Sequence, residues 1–422
     1  MTVNRKIAPE FNKLTNLELP LAEKHKLNCD IDLFIVNSGV EPIVKIDVVF
    51  NGGLNQQLYK AEAIFTASML SEGTEKRSGK ELTEALDFFG SYFQVKCNAD
   101  DSVASLYCLT KHVKNCLPLF FEALFLSVMP QKELQVIKDN AIQKLRVNLK
   151  KNSFVARTRF YEKVYGIKHP YSVNHTEEDI KNIDRDNLIS FFNNNYKNGI
   201  KYLFASGLIN NEVVSQIEQE FKNWGFVKYS SAKNTNLDTN YGKFFFEKKD
   251  SLQCAIKIGS PSINRKNSDF TKLQIFNLMF GGYFGSRLMK VVREEKGLTY
   301  GIYSLLESFL QSGCWSVSTD LNNELKQQGI EAIYKEIENV KINGFRDDEI
   351  ESGKQYFLGS ILRGIDGAFS IAERNKILID YELDNNYYNN LVNTINNITN
   401  NELIDVANKH IPEELIEVVV GS

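Results

Sequence analysis

The chain has 422 residues, room for two or more domains at roughly 100–200 residues each. Hydrophobic residues make up 43%, the ordinary share of a globular protein with sizeable cores. The net charge of -3, from 50 Lys and Arg against 53 Asp and Glu, argues against a nucleic-acid role, which needs a basic balance.

The first residues, "MTVNRKIAPEFNKLTNLELP", hold no apolar core behind a basic start, so a secretory signal is not expected. No stretch reaches about 18 uninterrupted apolar residues, so membrane insertion is not expected either. The six cysteines (Cys29, Cys97, Cys108, Cys116, Cys254, Cys314) form no CxxC pair. Cys97 and Cys108 sit in strand-like runs, where a thiol behaves as a small apolar group. Reduced thiols and a cytoplasmic protein are expected, with a periplasmic one as the alternative.

Further along, "SYFQVKCNADDSVASLYCLT" (91–110) alternates β-branched and aromatic residues around an Asn-Ala-Asp-Asp turn and predicts a hairpin. A helix over 114–128 and a second one in "PQKELQVIKDNAIQKLRVNL" follow. "DNLISFFNNNYKNGIKYLFASG" (186–207) reads as amphipathic helix, polar break, strand and glycine. "KYSSAKNTNLDTNYGK" (228–243) is polar and aperiodic and reads as a linker. The pattern then returns. "YGIYSLLESFLQSGCWSVSTDL" (300–321) predicts a hairpin, "ELKQQGIEAIYKEIENV" and "RDDEIESGKQYFLGSIL" two helices, and "NELIDVANKHIPEELIEVVVG" (401–421) a closing helix, strand and glycine. Such a repeat implies two similar α+β domains, each a mostly antiparallel sheet with helices on one side. The boundaries expected are 1–227, a linker over 228–242, and 243–422. Two such halves would enclose a space, a common place for a binding pocket.

Few residues suggest chemistry. Of the five histidines (His25, His112, His169, His175, His410), His169 and His175 share the Pro-containing turn "HPYSVNH", at a spacing that suits neither a helical ligand pair nor a compact loop pair. A turn whose imidazole caps a nearby carbonyl is the expectation. "MFGGYFGSRL" (279–288) has three glycines but no preceding strand and no Lys-Ser/Thr, so it reads as a flexible turn rather than a phosphate loop. Arg293 and Tyr300 stand seven apart in "RLMKVVREEKGLTYG". A guanidinium offers a fixed fork of donors to carbonyls, and a phenol can donate to an oxygen as negative charge develops. Taken alone, Arg293 reads as one member of a surface ion-pair cluster with Glu294 and Glu295, and Tyr300 as an ordinary strand aromatic beside Tyr303.

The repeat, "MLSEGTEKRSGKEL" and "SRLMKVVREEKGLTYGIYS" together resemble the M16 family, the inverted-motif zinc peptidases related to pitrilysin and the mitochondrial processing peptidase. The resemblance runs from about Asn28 to Gly421. In active members a helix reads His-x-x-Glu-His directly before Met-Leu-x-x-Gly-Thr. Two histidines and a distant glutamate bind zinc, and the motif glutamate is the general base. Here the histidine positions hold Ile64 and Ser68, the base position Ala67, and the distant glutamate position Lys144. The resemblance implies no metal on this chain. It also implies that Arg293 and Tyr300 match the pair that faces zinc from the C-terminal half, binding the peptide backbone and the oxyanion. In two-chain members one subunit carries zinc and its partner the Arg/Tyr pair. The expectation is therefore a non-catalytic, substrate-binding subunit of a heterodimeric metallopeptidase, acting on peptides, with zinc on the partner. The alternatives are a structural or assembly protein and a homodimer that binds peptides without cutting them.

Overall fold

The computed structural model describes residues 14–27, 30–222, 224 and 236–422. Two sheets organise them. The first holds β1 (Glu23–Lys26), β2 (Asp32–Asn37), β3 (Ile43–Phe50), β4 (Tyr92–Cys97), β5 (Ser102–Leu109) and β6 (Ile200–Gly207), in the order β1-β2-β6-β3-β5-β4. The second holds β7 (Gly242–Glu247), β8 (Gln253–Ser262), β9 (Thr299–Ser308), β10 (Gly313–Asn322) and β11 (Ile416–Gly421), in the order β7-β11-β8-β10-β9. Without β1 the two orders coincide strand for strand. Each sheet has one parallel pair, β2 with β6 and β7 with β11, and is otherwise antiparallel. The returning sequence pattern is thus a returning topology.

Helices of the first half are α1 (Glu62–Met69), α2 (Gly79–Asp87), α3 (Val113–Phe125), α4 (Gln131–Leu149), α5 (Asn152–Tyr165), α6 (Glu177–Asn182), α7 (Arg185–Phe192) and α8 (Asn211–Lys222). Those of the second are α9 (Phe270–Asn277), α10 (Lys326–Asn343), α11 (Asp347–Arg363), α12 (Ala368–Tyr381), α13 (Tyr387–Asn397) and α14 (Asn400–His410). Several starts are written locally. Ser78 with Glu81, Thr176 with Asp179 and Thr399 with Glu402 close reciprocal capping boxes, each satisfying two otherwise orphan amides. β6 ends where the chain must turn left-handed: Gly207 has φ +118°, and a Cβ there would lie 2.1 Å from the Ile43 carbonyl oxygen.

The side chains of each sheet alternate between two cores. In the first sheet Val44, Ile46, Val48 and Phe50 face the helices of their own half, packing with Phe120, Phe121 and Phe192. Val36, Val49, Tyr202 and Phe204 point the other way and join the core of the second half, which includes Ile371 and Ala372 of α12. The second sheet does the converse. Ile256, Ile258 and Val317 face their own helices, while Ala255, Cys314, Val418 and Val420 pack against Ala156, Phe160 and Val164 of α5. Each half therefore covers its sheet on one side with its own helices and lends one helix to the far side of the other sheet. Residues 238–240 are tied to α5: the Asp238 and Asn240 amides donate to the Tyr165 and Lys163 carbonyls. Most of the stretch read as a linker lies outside the described residues.

An ionic cluster is buried where α12 meets the first sheet. The Asp47 carboxylate, with 0% exposure, takes the Lys45 ammonium at 3.1 Å and pairs with Lys376 as well. Glu373 closes the cluster at 2.6 Å from Lys45 and 3.0 Å from Lys376. Burial works against the Lys45 charge, but the Asp47 and Glu373 carboxylates outweigh it and raise its pKa. No helix among the described residues is long and apolar enough to cross a membrane.

Candidate functional site

α1 and α4 bring three of the four degenerate motif positions to one place. Ile64, Ser68 and Lys144 line the same cavity of about 570 Å³. Ala67 does not line it; its methyl is buried. The donor chemistry at these positions does not fit zinc. Ile64 and Ala67 carry no donor atom. The Ser68 hydroxyl donates to the Ile64 carbonyl at 2.9 Å. Lys144 makes no ion pair or hydrogen bond among the described residues and would set a positive charge beside the cation. Among those residues no three His, Cys, Asp or Glu side chains gather as a metal cluster would require.

Two further titratable groups line this cavity. Burial raises the Glu72 carboxyl pKa and lowers that of the His175 imidazole, so both are pushed toward neutrality. Glu72 was hidden in the sequence because it belongs to the "MLSEGT" turn rather than to a ligand position. His175 was visible in "HPYSVNH", but its spacing did not reveal that it faces α4. The His169 Nδ1 accepts from the Tyr171 amide at 3.1 Å, and the ring stacks on Tyr165, so the imidazole serves a donor of its own turn.

Arg293 and Tyr300 lie together on the second half. Arg293 sits on a π-helical turn, Met289–Glu295, that buries Met289 and Val292. Such widened turns recur at functional sites because they re-aim one side chain without ending the helix. The Arg293 Nε donates to the Tyr300 carbonyl at 2.9 Å, and the guanidinium lies 4.6 Å from the Phe284 ring centre. Tyr300 owes its position to a bulge. β9 pairs Ile302 with Thr319 and Thr299 with Leu321, so Tyr300 and Gly301 together oppose Asp320 alone. The extra residue turns the Tyr300 side chain out to 94% exposure.

The segment before this turn, "MFGGYFGSRL", is packed at Gly281, Ser286 and Arg287 and exposed at Gly282 and Phe284. Leu278–Gly282 is a π-helical turn whose Gly281 lies so close to β9 that a Cβ would fall 2.6 Å from the Ser304 amide nitrogen. The buried Arg287 guanidinium holds Glu349 with two bonds, 2.7 and 2.5 Å, and reaches Glu336 at 3.4 Å. Those carboxylates anchor the approach to Arg293 on α10 and α11.

A second cavity, about 500 Å³, lies between the halves. Gly301 and Tyr303 of β9 line it, beside Lys257 of β8 and Asp320 of β10. It shares Asn148, Phe154 and Arg157 with the cavity at Lys144, so one hollow runs from Lys144 to β9. Arg293 and Tyr300 stand at the edge of this hollow rather than among its lining residues.

The family profile described as the peptidase M16 inactive domain matches residues 182–357. An uncharacterized zinc protease, YmxG of Bacillus subtilis, is 22% identical over 315 residues, covering 74% of this chain and 76% of the relative. YmfF of the same organism, described as a probable inactive metalloprotease, is 26% identical over 208 residues and 48% of each chain. The crystal structure of a peptidase M16 inactive domain from Pseudomonas fluorescens superposes with a TM-score of 0.84 at 20% identity, covering 95% of this chain and 98% of that one. The Met-Leu-x-x-Gly-Thr turn, the profile match over residues 182–357 and these likenesses agree: the chain is similar to the M16 peptidases and shares their fold.

Proposed function

We propose that this chain is the non-catalytic, substrate-binding subunit of a two-chain M16 metallopeptidase. It carries no zinc, binds peptides in the hollow between its halves, and presents Arg293 and Tyr300 to a partner that holds the metal and the general base. The observation that carries this reading is the asymmetry of the two walls: Ile64, Ala67, Ser68 and Lys144 supply no ligand set, while Arg293 and Tyr300 are positioned by a π-helical turn and a bulge. An oxyanion donor is useful only where a nucleophile also acts. Where the chain has none of its own, another chain must bring it. The match to an inactive-domain profile and the likeness to a probable inactive metalloprotease support the absence of independent catalysis.

Peptide cleavage is the test. The purified chain alone should be inactive, and addition of a zinc-bearing M16 subunit should give chelator-sensitive cleavage exceeding that of the partner alone. Activity of this chain by itself, abolished by a chelator, would overturn the proposal. One observation favours a structural or assembly role instead: Arg293 is already engaged, by the Tyr300 carbonyl and by Glu294 at 3.5 Å. A scaffold would be indifferent to its loss.

A further inference from the structure

Lys257 is an odd residue for its place. It lies mid-strand in β8, on the face covered by α5, and is 7% exposed. Its ammonium donates to the Ser316 hydroxyl at 2.9 Å and the Ser318 hydroxyl at 3.0 Å, and lies 5.1 Å from the Phe160 ring centre. No carboxylate comes within 4.0 Å among the described residues; the nearby Glu307 accepts the Tyr161 hydroxyl. Burial works to lower the lysine pKa. A buried ammonium held by two neutral hydroxyls is incompletely compensated, since charged groups leave water at a high free-energy cost unless a counter-charge replaces it.

Lys257 also lines the cavity between the halves. Arg157, on its opposite wall, makes no ion pair among the described residues and lies 5.4 Å from the Phe154 ring centre. Lys151 stands on the same wall, likewise without an ion pair. Among the described residues the one carboxyl lining this space is Asp320, whose pKa burial raises. The cavity therefore presents a buried cation at its floor, two mobile-stemmed cations at its mouth, and a carboxyl whose charge burial disfavours.

We infer that the cavity between α5 and the second sheet is a carboxylate subsite, with Lys257 as its floor and Arg157 as its clamp, that takes an acidic group of a bound peptide. A carboxylate there would supply the counter-charge that Ser316 and Ser318 cannot. The inference rests on the peptide-binding reading, and the two can fail separately.

Titration calorimetry of the full chain with three ten-residue peptides tests it. The first carries two Glu and an amidated C-terminus, the second replaces both Glu by Gln, and the third is the Gln peptide with a free C-terminal carboxylate. The Glu peptide should bind about tenfold more tightly than its amidated Gln counterpart, the scale of one charge-assisted bond. Lys257→Met should abolish that advantage and leave the Gln peptide's Kd unmoved. Arg157→Gln, at an exposed position that leaves the core intact, should reduce the advantage and keeps the test open if Lys257→Met fails to fold. An advantage for the free-terminus peptide alone, lost in the same variants, upholds the subsite with the chain terminus as its source. Equal binding of all three overturns the subsite and leaves peptide binding standing. Binding of none overturns both.

Discussion

The wall of the central hollow at α1 and α4 and its rim at β9 differ in kind. On the first half, α1 and α4 still bring positions 64, 68 and 144 to one cavity, but each now carries the wrong chemistry: a hydrocarbon, a hydroxyl spent on its own helix, and a cation. On the second half the residues and the devices that aim them are both present: Arg287 anchors the approach, a π-helical turn presents Arg293, and a bulge turns Tyr300 outward. Packing holds α1 in place whatever positions 64 and 68 carry, because Phe65 and Met69 are buried.

The sharpest way to break this comparison is to restore the donors. Ile64→His, Ser68→His and Lys144→Glu together give three ligands, enough for a zinc that keeps its fourth position open. About one zinc per chain is expected by elemental analysis after dialysis, against none for the wild type or for the variant that keeps Lys144. A folded triple variant that stays metal-free would show that the positions share a cavity without sharing a ligand geometry.

Next in size is the junction that sets one half against the other. Asp47→Ala would leave two buried lysines, Lys45 and Lys376, with Glu373 alone. Removing one member of a buried ionic cluster typically costs about 3–5 kcal/mol. Urea unfolding should show it as a lowered midpoint, and an unchanged midpoint would mean that the cluster is solvated in a way its burial does not suggest.

That junction also marks what the sequence can and cannot disclose. Both hairpins, the helices that follow them and the closing strands were legible because alternation and capping are local. The exchange of α5 and α12 was not. The stripe Ala156, Phe160, Val164 announces that α5 covers something, but periodicity carries no information on which sheet it covers. Lys257 was hidden for the same reason: in "CAIKIGS" it looks like the polar phase of a half-exposed strand, and only the borrowed helix makes it a buried one. At the site, the spacing of Arg293 and Tyr300 was visible, whereas the bulge beside them depends on pairing with β10.

Arg293→Ala addresses the second wall directly. Assembled with a zinc-bearing partner, the variant should lose about 10²–10³-fold in kcat, the usual consequence of removing one oxyanion donor. Its unfolding midpoint should move little, since Arg293 is half-buried and its contacts, the Tyr300 carbonyl and the Glu294 carboxylate, lie at the surface. A kcat within twofold of wild type would favour the scaffold reading.

The smallest effect separates the halves by acid. Both carry capping boxes, but they are not equally supported. Glu81 of α2 is held below the usual carboxylate range by the Ser78 amide and hydroxyl. Glu402 of α14 is lowered to about 2, first by Lys272 and then by the Thr399 amide. Its folded value lies below its unfolded one, so its contribution is complete above about pH 4.5 and is lost as the pH falls toward about 2. The Glu402 side chain is 38% exposed, so solvent screening keeps that contribution under about 1 kcal/mol. Glu402→Gln should therefore lower the urea midpoint slightly at pH 7 and by less as the pH falls toward about 2. Glu81→Gln, with no lysine contact to lose, should show the shallower acid dependence. Identical curves for the two variants would mean that the Lys272 contact adds nothing beyond the box, and that the halves differ in their walls but not in the local rules that start their helices.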